Sequence, residues 1–376
     1  MEFLHMALVL GASSPGGLAV VRDLGRQGIG VVTVDAAPGP LGVSKFVREA
    51  LLLPPPQRGA ELMDALEILA KNYTTEGRRP VLYWTEAPYE DFVLQWHGRL
   101  KELFLFPLEN GAHQKELKDI LKHPAAPEGV DYGEYFVEEV EDALGYPMTL
   151  VGEEERTVES EEELVQLIRE GPAPRYGRRI IPGGDEGVYT ATVYYQGGSL
   201  MGFVTAQSLR RRGGWAGEAS YLRQRWIPDL VPLIHNHIRA TGYSGPAEVI
   251  FQIDEFSRRV YLQEIRSLFP QYTELLCSLG FHLPLLYYLD ATGQKLPRRY
   301  LNRDTHRHWL CLMEDLPNVA AKFSTGNLGL MKYLTDFRFK RVSATFALDD
   351  PSPGFSAASH FINGHLKKLW GKIFRR

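Results

Sequence analysis

The sequence predicts a mixed fold that combines an α/β part with an α+β part. In the first hundred residues, short apolar strands alternate with helical segments, a pattern typical of a parallel sheet. Residues 247–253 and 259–265 form two strand patterns joined by the polar turn 254–258, which favours an antiparallel pair. Residues 294–376 contain several amphipathic segments, which predict a helical tail.

Length and composition are those of an ordinary globular protein. The 376 residues are enough for two or three domains, each with its own core. With 44% apolar and 23% charged residues, the chain does not fit the disordered or fibrous classes. The net charge of −4 gives no overall attraction to nucleic acid, so we expect no nucleic-acid partner.

Cysteine usage indicates a reducing compartment, and hydropathy predicts neither a membrane span nor a signal peptide. Cys277 and Cys311 lie in apolar segments without a pairing framework, and they are predicted to be buried thiols. No apolar run approaches the roughly 18 residues needed to span a bilayer. The apolar run 6–10 is too short for a signal peptide and lacks a basic flank. We therefore expect a cytoplasmic protein.

The N-terminal segment 6–35 begins the α/β part with a strand, a glycine turn, a helix and a second strand. Gly11, Gly16 and Gly17 lie in the turn, but their spacing departs from the G-x-G-x-x-G pattern of dinucleotide sites. A tight turn that lets the helix approach the sheet is therefore favoured over a cofactor site. A further helix and the strand 81–84 continue the alternation.

The most informative motif lies in residues 242–293, which begin GYSGPAEVIFQIDEFSRRVYLQEIRSLFPQYTELLCSLG. This passage resembles the ATP-grasp superfamily, in particular its predicted carboxylate–amine ligases related to carbamoyl-phosphate synthetase. Upstream, RRIIPGGDEGVYTATVYYQGGSLMGFVTAQSLRRR resembles a second family motif, and ALGYPMTLVGEEERTVESEEELVQLI resembles the start of the family's small lobe. The resemblance extends over nearly the whole chain.

The resemblance implies an ATP-grasp architecture with an N-terminal Rossmann-like pre-ATP-grasp domain, a reduced small lobe, a large lobe and a helical C-terminal extension. The predicted boundaries are 1–107 for the pre-ATP-grasp domain, 108–140 for a linker, 141–293 for the ATP-grasp-like lobes (small lobe about 141–181, large lobe about 182–293) and 294–376 for the helical extension with its basic amphipathic tail.

The family's metal ligands are only partly present. A nucleotide-bound magnesium needs hard oxygen ligands from both antiparallel strands. The family's Glu, Glu and Asn fall on Ile250, Glu264 and Arg266, so only Glu264 keeps its carboxylate. Ile250 supplies no oxygen, and Arg266 would repel a cation. Glu248 shares a strand face with Ile250 and could join Glu264 as a metal ligand if the chain is an active ligase.

The family's nucleotide contacts are altered as well. Its Gln-Glu pair beside the base falls on Arg178 and Arg179, and its phosphate-binding Lys falls on Val151. The small-residue loop that would cover the phosphates is replaced by the acidic residues 153–155, which repel a triphosphate. No lysine lies between Lys122 and Lys295. Together these changes predict the loss of ordinary ATP chemistry.

Arginines are the second conspicuous feature of the predicted lobes. If several of them face one cleft, their planar guanidinium groups would favour a carboxylate, phosphate or sugar anion. The predicted ligand-binding residues are Arg178, Arg179, Arg210 and Arg266. The alternative is that most of these side chains are solvated or paired with the glutamate runs near residues 153 and 161.

The sequence therefore favours a degenerate ATP-grasp protein that has lost ligase activity and acts as a binding or partner subunit with a basic cleft for a small anionic ligand. No cofactor is expected in that case. The alternative is an active ATP-dependent carboxylate–amine ligase working through an acyl phosphate, with ATP and Mg²⁺ as cofactors, Glu264 and Glu248 at the metal and Arg210 stabilising the developing charge. The oligomeric state is open.

The C-terminal segment HFINGHLKKLWGKIFRR leaves a third possibility. Its apolar residues share one helical face and its lysines and arginines make it basic, as in interfacial membrane helices. The corresponding function is peripheral membrane contact in envelope biosynthesis. The alternative is a helix that packs on its own domain.

Two H-x-H pairs begin at His235 and His306, and both are predicted to lie in helices. Positions i and i+2 of a helix point to different faces, so neither pair is expected to bind a shared metal ion.

Overall fold

The computed structural model describes residues 3–108, 130–132, 134–135, 148–151, 156–158, 176–179, 184–212, 217–256, 260–301, 303–324, 333 and 339–373. Its strands are β1 Ala7–Leu10, β2 Val31–Asp35, β3 Val47–Leu52, β4 Val81–Trp84, β5 Val130–Tyr132, β6 Glu134–Tyr135, β7 Met148–Val151, β8 Arg156–Val158, β9 Tyr176–Arg179, β10 Val188–Gln196, β11 Ser199–Arg211, β12 Ala219–Gln224, β13 Gly245–Ile253, β14 Val260–Arg266, β15 Arg299–Tyr300, β16 Arg307–Leu310 and β17 Lys340–Ser343.

The helices of the described residues lie between and after these strands. They are α1 Pro15–Arg26, α2 Gly59–Tyr73, α3 Ala87–Gln95, α4 His97–Leu103, α5 Pro232–Thr241, α6 Thr273–Ser278, α7 Leu283–Ala291, α8 Leu312–Ser324 and α9 Ser352–Ile373.

The N-terminal residues form a parallel four-stranded sheet with the order β3-β2-β1-β4, as the sequence predicts. Helix α1 begins at Pro15, where the Ser14 hydroxyl accepts a hydrogen bond from Gly17 N at 3.0 Å. A Cβ on Gly17 would lie only 2.7 Å from Ala12 Cα, so this glycine permits the close approach of the helix to the turn. The close packing of the helix against the turn therefore accounts for the glycine at position 17.

The second sheet is mostly antiparallel and has the order β17-β16-β12-β11-β10-β13-β14-β5, with β15 paired to β11. Strands β13 and β14 form the predicted antiparallel pair. Their hairpin is followed by helix α6, which begins at Thr273. A third sheet, β6-β9-β7-β8, contains the short strands between residues 134 and 179. The mixed α/β and α+β class is therefore confirmed.

The core is continuous between the N-terminal sheet and the large antiparallel sheet. Helix α7 lies between them: the hydroxyl of Tyr287 donates to the Leu82 carbonyl at 2.8 Å, and that of Tyr83 donates to the Pro284 carbonyl at 3.1 Å. The Tyr83 and Tyr287 rings are 4.6 Å apart. Each buried tyrosine hydroxyl thus donates to a backbone carbonyl of the opposite segment, and the two bonds fix the N-terminal sheet against helix α7.

Two of the smaller expectations have clear outcomes. The second H-x-H pair is not helical, because His308 lies in strand β16 and His306 precedes it with a positive φ of 52°. The prediction failed because the apolar run around Trp309 fits a buried strand as well as a helix. The C-terminal segment is helical through Ile373, although its side chains from residue 364 onward lie outside the described part. Among the described helices, none is both long and apolar enough to cross a membrane.

Candidate functional site

A cavity of about 520 Å³ lies between the carboxyl end of β4 and the β13–β14 hairpin. The segment after β4 and the first turn of α3 contribute Thr85, Glu86, Ala87 and Glu90 to its lining. The rest of the lining is Glu218, Glu248, Glu264, Ile265, Arg266, Leu268, Phe269, Pro270 and Gln271. The carboxyl ends of parallel strands are the usual place for ligand sites in α/β sheets.

Arg266 organises the charges of this cavity. Its guanidinium donates to both carboxylate oxygens of Glu264 at 2.7 Å and to the carboxylate of Glu218 at 2.5 Å. The carboxylate of Glu248 lies 3.9 Å from the same guanidinium. The register of the hairpin causes this arrangement, because Glu248 pairs with Arg266 and Ile250 pairs with Glu264 across the two strands.

Glu248 is the buried member of the cluster. Burial raises the pKa of its carboxyl to about 7, while the nearby Arg266 acts in the opposite direction. Arg266 itself keeps its charge: although burial opposes it, the hydrogen bond with Glu264 and the surrounding carboxylates raise its pKa above the usual value. The predicted metal-binding pair Glu248 and Glu264 is thus brought together, with a guanidinium between the two carboxylates.

A smaller cavity adjoins the first and shares Glu218, Glu248 and Gln271 with it. Ile250, which is 5% exposed, lines this space and contributes no oxygen. Arg211 and Ser208 also line it, and the Arg211 Nε and the Ser208 hydroxyl are buried without a hydrogen-bond partner among the described residues. Burial lowers the pKa of the Arg211 guanidinium. The cavity measures about 10 Å³, so as it stands these two groups can offer hydrogen bonds only to a single water molecule.

Arg210 lies elsewhere. Its guanidinium forms two 2.8 Å bonds with the carboxylate of Asp315, which is 1% exposed, and lies 4.2 Å from the Tyr221 ring centroid. Neither cavity has Arg210 in its lining. The register of β11 is irregular between Ser208 and Arg211, and this irregularity places Ser208 and Arg211 on the cavity side instead. The Arg210 guanidinium, which was predicted to bind the ligand, is thus paired with Asp315.

Arg178 and Arg179 are the remaining predicted ligand-binding residues. They end strand β9, where Arg178 pairs with Thr149 and Glu134 in the third sheet. Their side chains lie outside the described residues, as do Gly152 to Glu155, the predicted replacement of the phosphate loop. The backbone of Val151 lies at the end of β7.

The described lining of the main cavity is acidic. It has five glutamates and one arginine, and that arginine is already paired. The predicted basic cleft therefore does not arise from Arg210 or Arg266. The anionic ligand stays a prediction, and it now rests on Arg211, Arg178 and Arg179.

Comparisons with known proteins identify the architecture. No protein-family model and no curated protein matches the sequence. Among solved structures, biotin carboxylase from Campylobacter jejuni in complex with β,γ-ATP matches 81% of this chain and 75% of its own, with 14% identity and a TM-score of 0.60. N5-carboxyaminoimidazole synthetase from Staphylococcus aureus matches 86% of this chain and 87% of its own, with 16% identity and a TM-score of 0.59.

The fold is ATP-grasp. Phosphoribosylglycinamide synthetase from Anaerococcus prevotii agrees, with a TM-score of 0.54, 11% identity and coverage of 77% of this chain and 76% of its own. The family resemblance drawn from residues 242–293 is thereby confirmed at the level of fold. The main cavity lies between the N-terminal sheet and strands β13 and β14, which carry Glu248, Glu264 and Arg266.

Three charged cavity residues, Glu86, Glu90 and Glu218, were missed in the sequence. Glu86 follows β4 closely and Glu90 lies in the first turn of α3, and the rule that ligands gather at the carboxyl ends of parallel strands could have found both. Glu218 precedes β12 and carries no comparable signal. It meets Arg266 only through the pairing of distant strands.

Proposed function

We propose that this chain is an ATP-grasp-fold binding or partner protein that does not carry out metal-dependent nucleotide ligation. The observation that supports this most strongly is Arg266, whose guanidinium lies among the carboxylates of Glu218, Glu248 and Glu264. This internal guanidinium takes up the Glu264 oxygens that a metal ion would need, and its charge repels a second cation.

The donor set also suits magnesium poorly. Mg²⁺ requires near-octahedral coordination by oxygen atoms at about 2.0–2.1 Å. Both oxygens of Glu264 accept bonds from Arg266, and the facing position is the hydrocarbon side chain of Ile250. A Mg²⁺ ion would have to displace a guanidinium held by hydrogen bonds and then find ligands that Ile250 cannot supply.

Calorimetry with ATP tests the proposal directly. The solved structures that share this fold include a complex with β,γ-ATP, so ATP is the natural probe. We expect no binding at millimolar ATP, with or without Mg²⁺. Micromolar, Mg²⁺-dependent binding would overturn the proposal in favour of an active carboxylate–amine ligase.

A restoring double variant sharpens the test. Ile250→Glu combined with Arg266→Asn returns the two positions to the residues of the family motif. We expect this variant to bind Mn²⁺ at least about 100-fold more tightly than the natural chain, because the number and charge of the ligands set the affinity. Electron paramagnetic resonance measures the binding. Arg266→Asn alone is the matched control, since it removes the repulsion but adds no carboxylate. Tight Mn²⁺ binding by the natural chain would contradict the proposal.

The ligand of the proposed binding site is expected to carry a single anionic group. The five glutamates of the main cavity disfavour a polyanion such as a triphosphate. The unpartnered Nε of Arg211 offers one hydrogen bond from the adjoining cavity of about 10 Å³, which must widen to admit more than a water molecule. In thermal-shift measurements without metal, acetate and inorganic phosphate should raise the melting temperature of the natural chain. They should leave the melting temperature of Arg211→Met unchanged. If methylamine raises the melting temperature and the anions do not, the ligand class is cationic and the anion prediction is wrong.

A further inference from the structure

A second cluster of reactive side chains lies apart from the cavity. Asp23 belongs to α1, Cys277 belongs to α6, and His282 directly precedes α7. One ligand atom from each of the three side chains lies within 4.8 Å of the other two. None of them lines the 520 Å³ cavity, so the cluster is independent of the proposed function.

Asp23 is a buried carboxylate whose ionic partner is His282, and their hydrogen bond raises the pKa of the imidazole. Asp23 is 1% exposed, and buried carboxylates are normally paired with a cation. One of its oxygens accepts a bond from Leu285 N at 3.3 Å, and the other lies 2.6 Å from His282 Nδ1. A further neighbour is the thiol of Cys277, which is 7% exposed. The side-chain hydrogen-bond partners of Asp23 thus include an imidazole and a thiol, two groups that borderline-soft metal ions prefer.

We infer that Asp23, Cys277 and His282 form a Zn²⁺ site, with water as the fourth ligand. One oxygen, one sulfur and one nitrogen suit tetrahedral Zn²⁺ and disfavour Mg²⁺ and Ca²⁺, which take oxygen ligands. The His282 side chain is 40% exposed, which gives the ion a path from solvent and leaves room for the water. On binding, the Cys277 sulfur gives its proton to solvent and the metal takes the place of that proton.

The geometry needs only a small adjustment. Zn–ligand bonds of about 2.0–2.3 Å place neighbouring ligand atoms about 3.3–3.8 Å apart in a tetrahedron. The 2.6 Å contact between Asp23 and His282 must therefore lengthen by about 1 Å. Rotation of the half-exposed imidazole can lengthen this contact, and the Cys277 sulfur, which lies within 4.8 Å of the other two ligand atoms, must approach them by up to about 1.5 Å.

Metal binding would connect separate parts of the fold. Helix α1 belongs to the N-terminal domain, and it packs against both α6 and α7. A Zn²⁺ ion bound by all three elements stabilises the folded chain, because the complete ligand set exists only when they are packed together.

Titration of the full chain with Co²⁺ and Zn²⁺ tests the site. We expect one ion per chain, near-ultraviolet thiolate-to-Co²⁺ charge-transfer bands, and a higher melting temperature with Zn²⁺. His282→Gln keeps a hydrogen-bonding group beside Asp23 but should weaken binding by at least about 100-fold, since even outer-shell partners cost 10–100-fold. Cys277→Ser should abolish the charge-transfer bands.

Cys311→Ser is the matched control, because Cys311 is the chain's other free and buried cysteine. It should bind both ions like the natural chain. The inference is overturned if the natural chain binds neither ion at 100 μM, on the order of the weakest useful metal affinities, or if His282→Gln binds them equally well. If Cys277→Ser fails to fold, His282→Gln still decides the question.

Discussion

Replacing Asp350 with Asn is expected to lower the free energy of unfolding by about 3–5 kcal/mol, the usual cost of breaking a buried ion pair. The Asp350 carboxylate accepts bonds from Arg22 Nε at 2.9 Å, from the Ser44 hydroxyl at 2.7 Å and from Lys45 N at 3.0 Å. The Arg22 side chain is 0% exposed. Without the carboxylate, its charge stays buried and unpaired, and the contact between α1 and the segment before α9 is weakened.

The neighbouring Asp349 provides the control. Its carboxylate pairs with Arg26 at 2.9 Å, but its side chain is 46% exposed. Asp349→Asn should therefore cost less than about 1 kcal/mol, because water screens exposed pairs. Urea unfolding of both variants at pH 7 measures the difference. Equal losses for the two positions would show that burial of the Arg22 pair does not govern its contribution.

The second large effect concerns the pH dependence of stability through Glu248. Its pKa rises from 4.5 in the unfolded chain to about 7 in the folded protein, mainly because of burial. Between these values the folded state holds a proton that the unfolded state has lost, so the free energy of unfolding falls as the pH rises from about 4.5 to about 7. At about 1.4 kcal/mol per pKa unit, the total loss is about 3 kcal/mol.

Glu248→Gln removes this dependence. The variant keeps the shape and the polar contact but cannot ionise, so above pH 7 it should be more stable than the natural chain by about 3 kcal/mol. Denaturant unfolding at several pH values between 4 and 8 measures the difference between the two proteins. The exposed Glu255→Gln is the control, with an expected change below about 0.5 kcal/mol. Parallel pH profiles for Glu248→Gln and the natural chain would refute the assignment.

Much of the fold followed from local patterns. Alternating strands and helices predicted the parallel N-terminal sheet, and residues 247–265 predicted the antiparallel β13–β14 hairpin. These predictions held because short-range periodicity reports which face of a strand or helix is buried. The exceptions were the extension 294–376, predicted to be helical but containing strands β15, β16 and β17, and the predicted linker 108–140, which contains β5 and β6. At His306 to His308, a short apolar run fits a strand and a helix equally well.

The candidate site was only partly predictable. The motif placed Glu248, Glu264 and Arg266 together, because residues paired across one hairpin are close in any fold that forms it. It could not show that Asp315 holds Arg210, or that Glu218 completes the cluster around Arg266. These contacts join residues far apart in sequence, which no local pattern encodes.

By itself, the sequence determined the ATP-grasp fold and the substitutions at the family's metal positions, since both depend on residue identity along two neighbouring strands. Only the tertiary structure decided where the charges lie. An irregular register in β11 directs Arg211 rather than Arg210 to the cavity, and the packing of α1 on α6 and α7 brings Asp23 to Cys277 and His282. Side-chain direction and long-range packing are set by the folded chain as a whole.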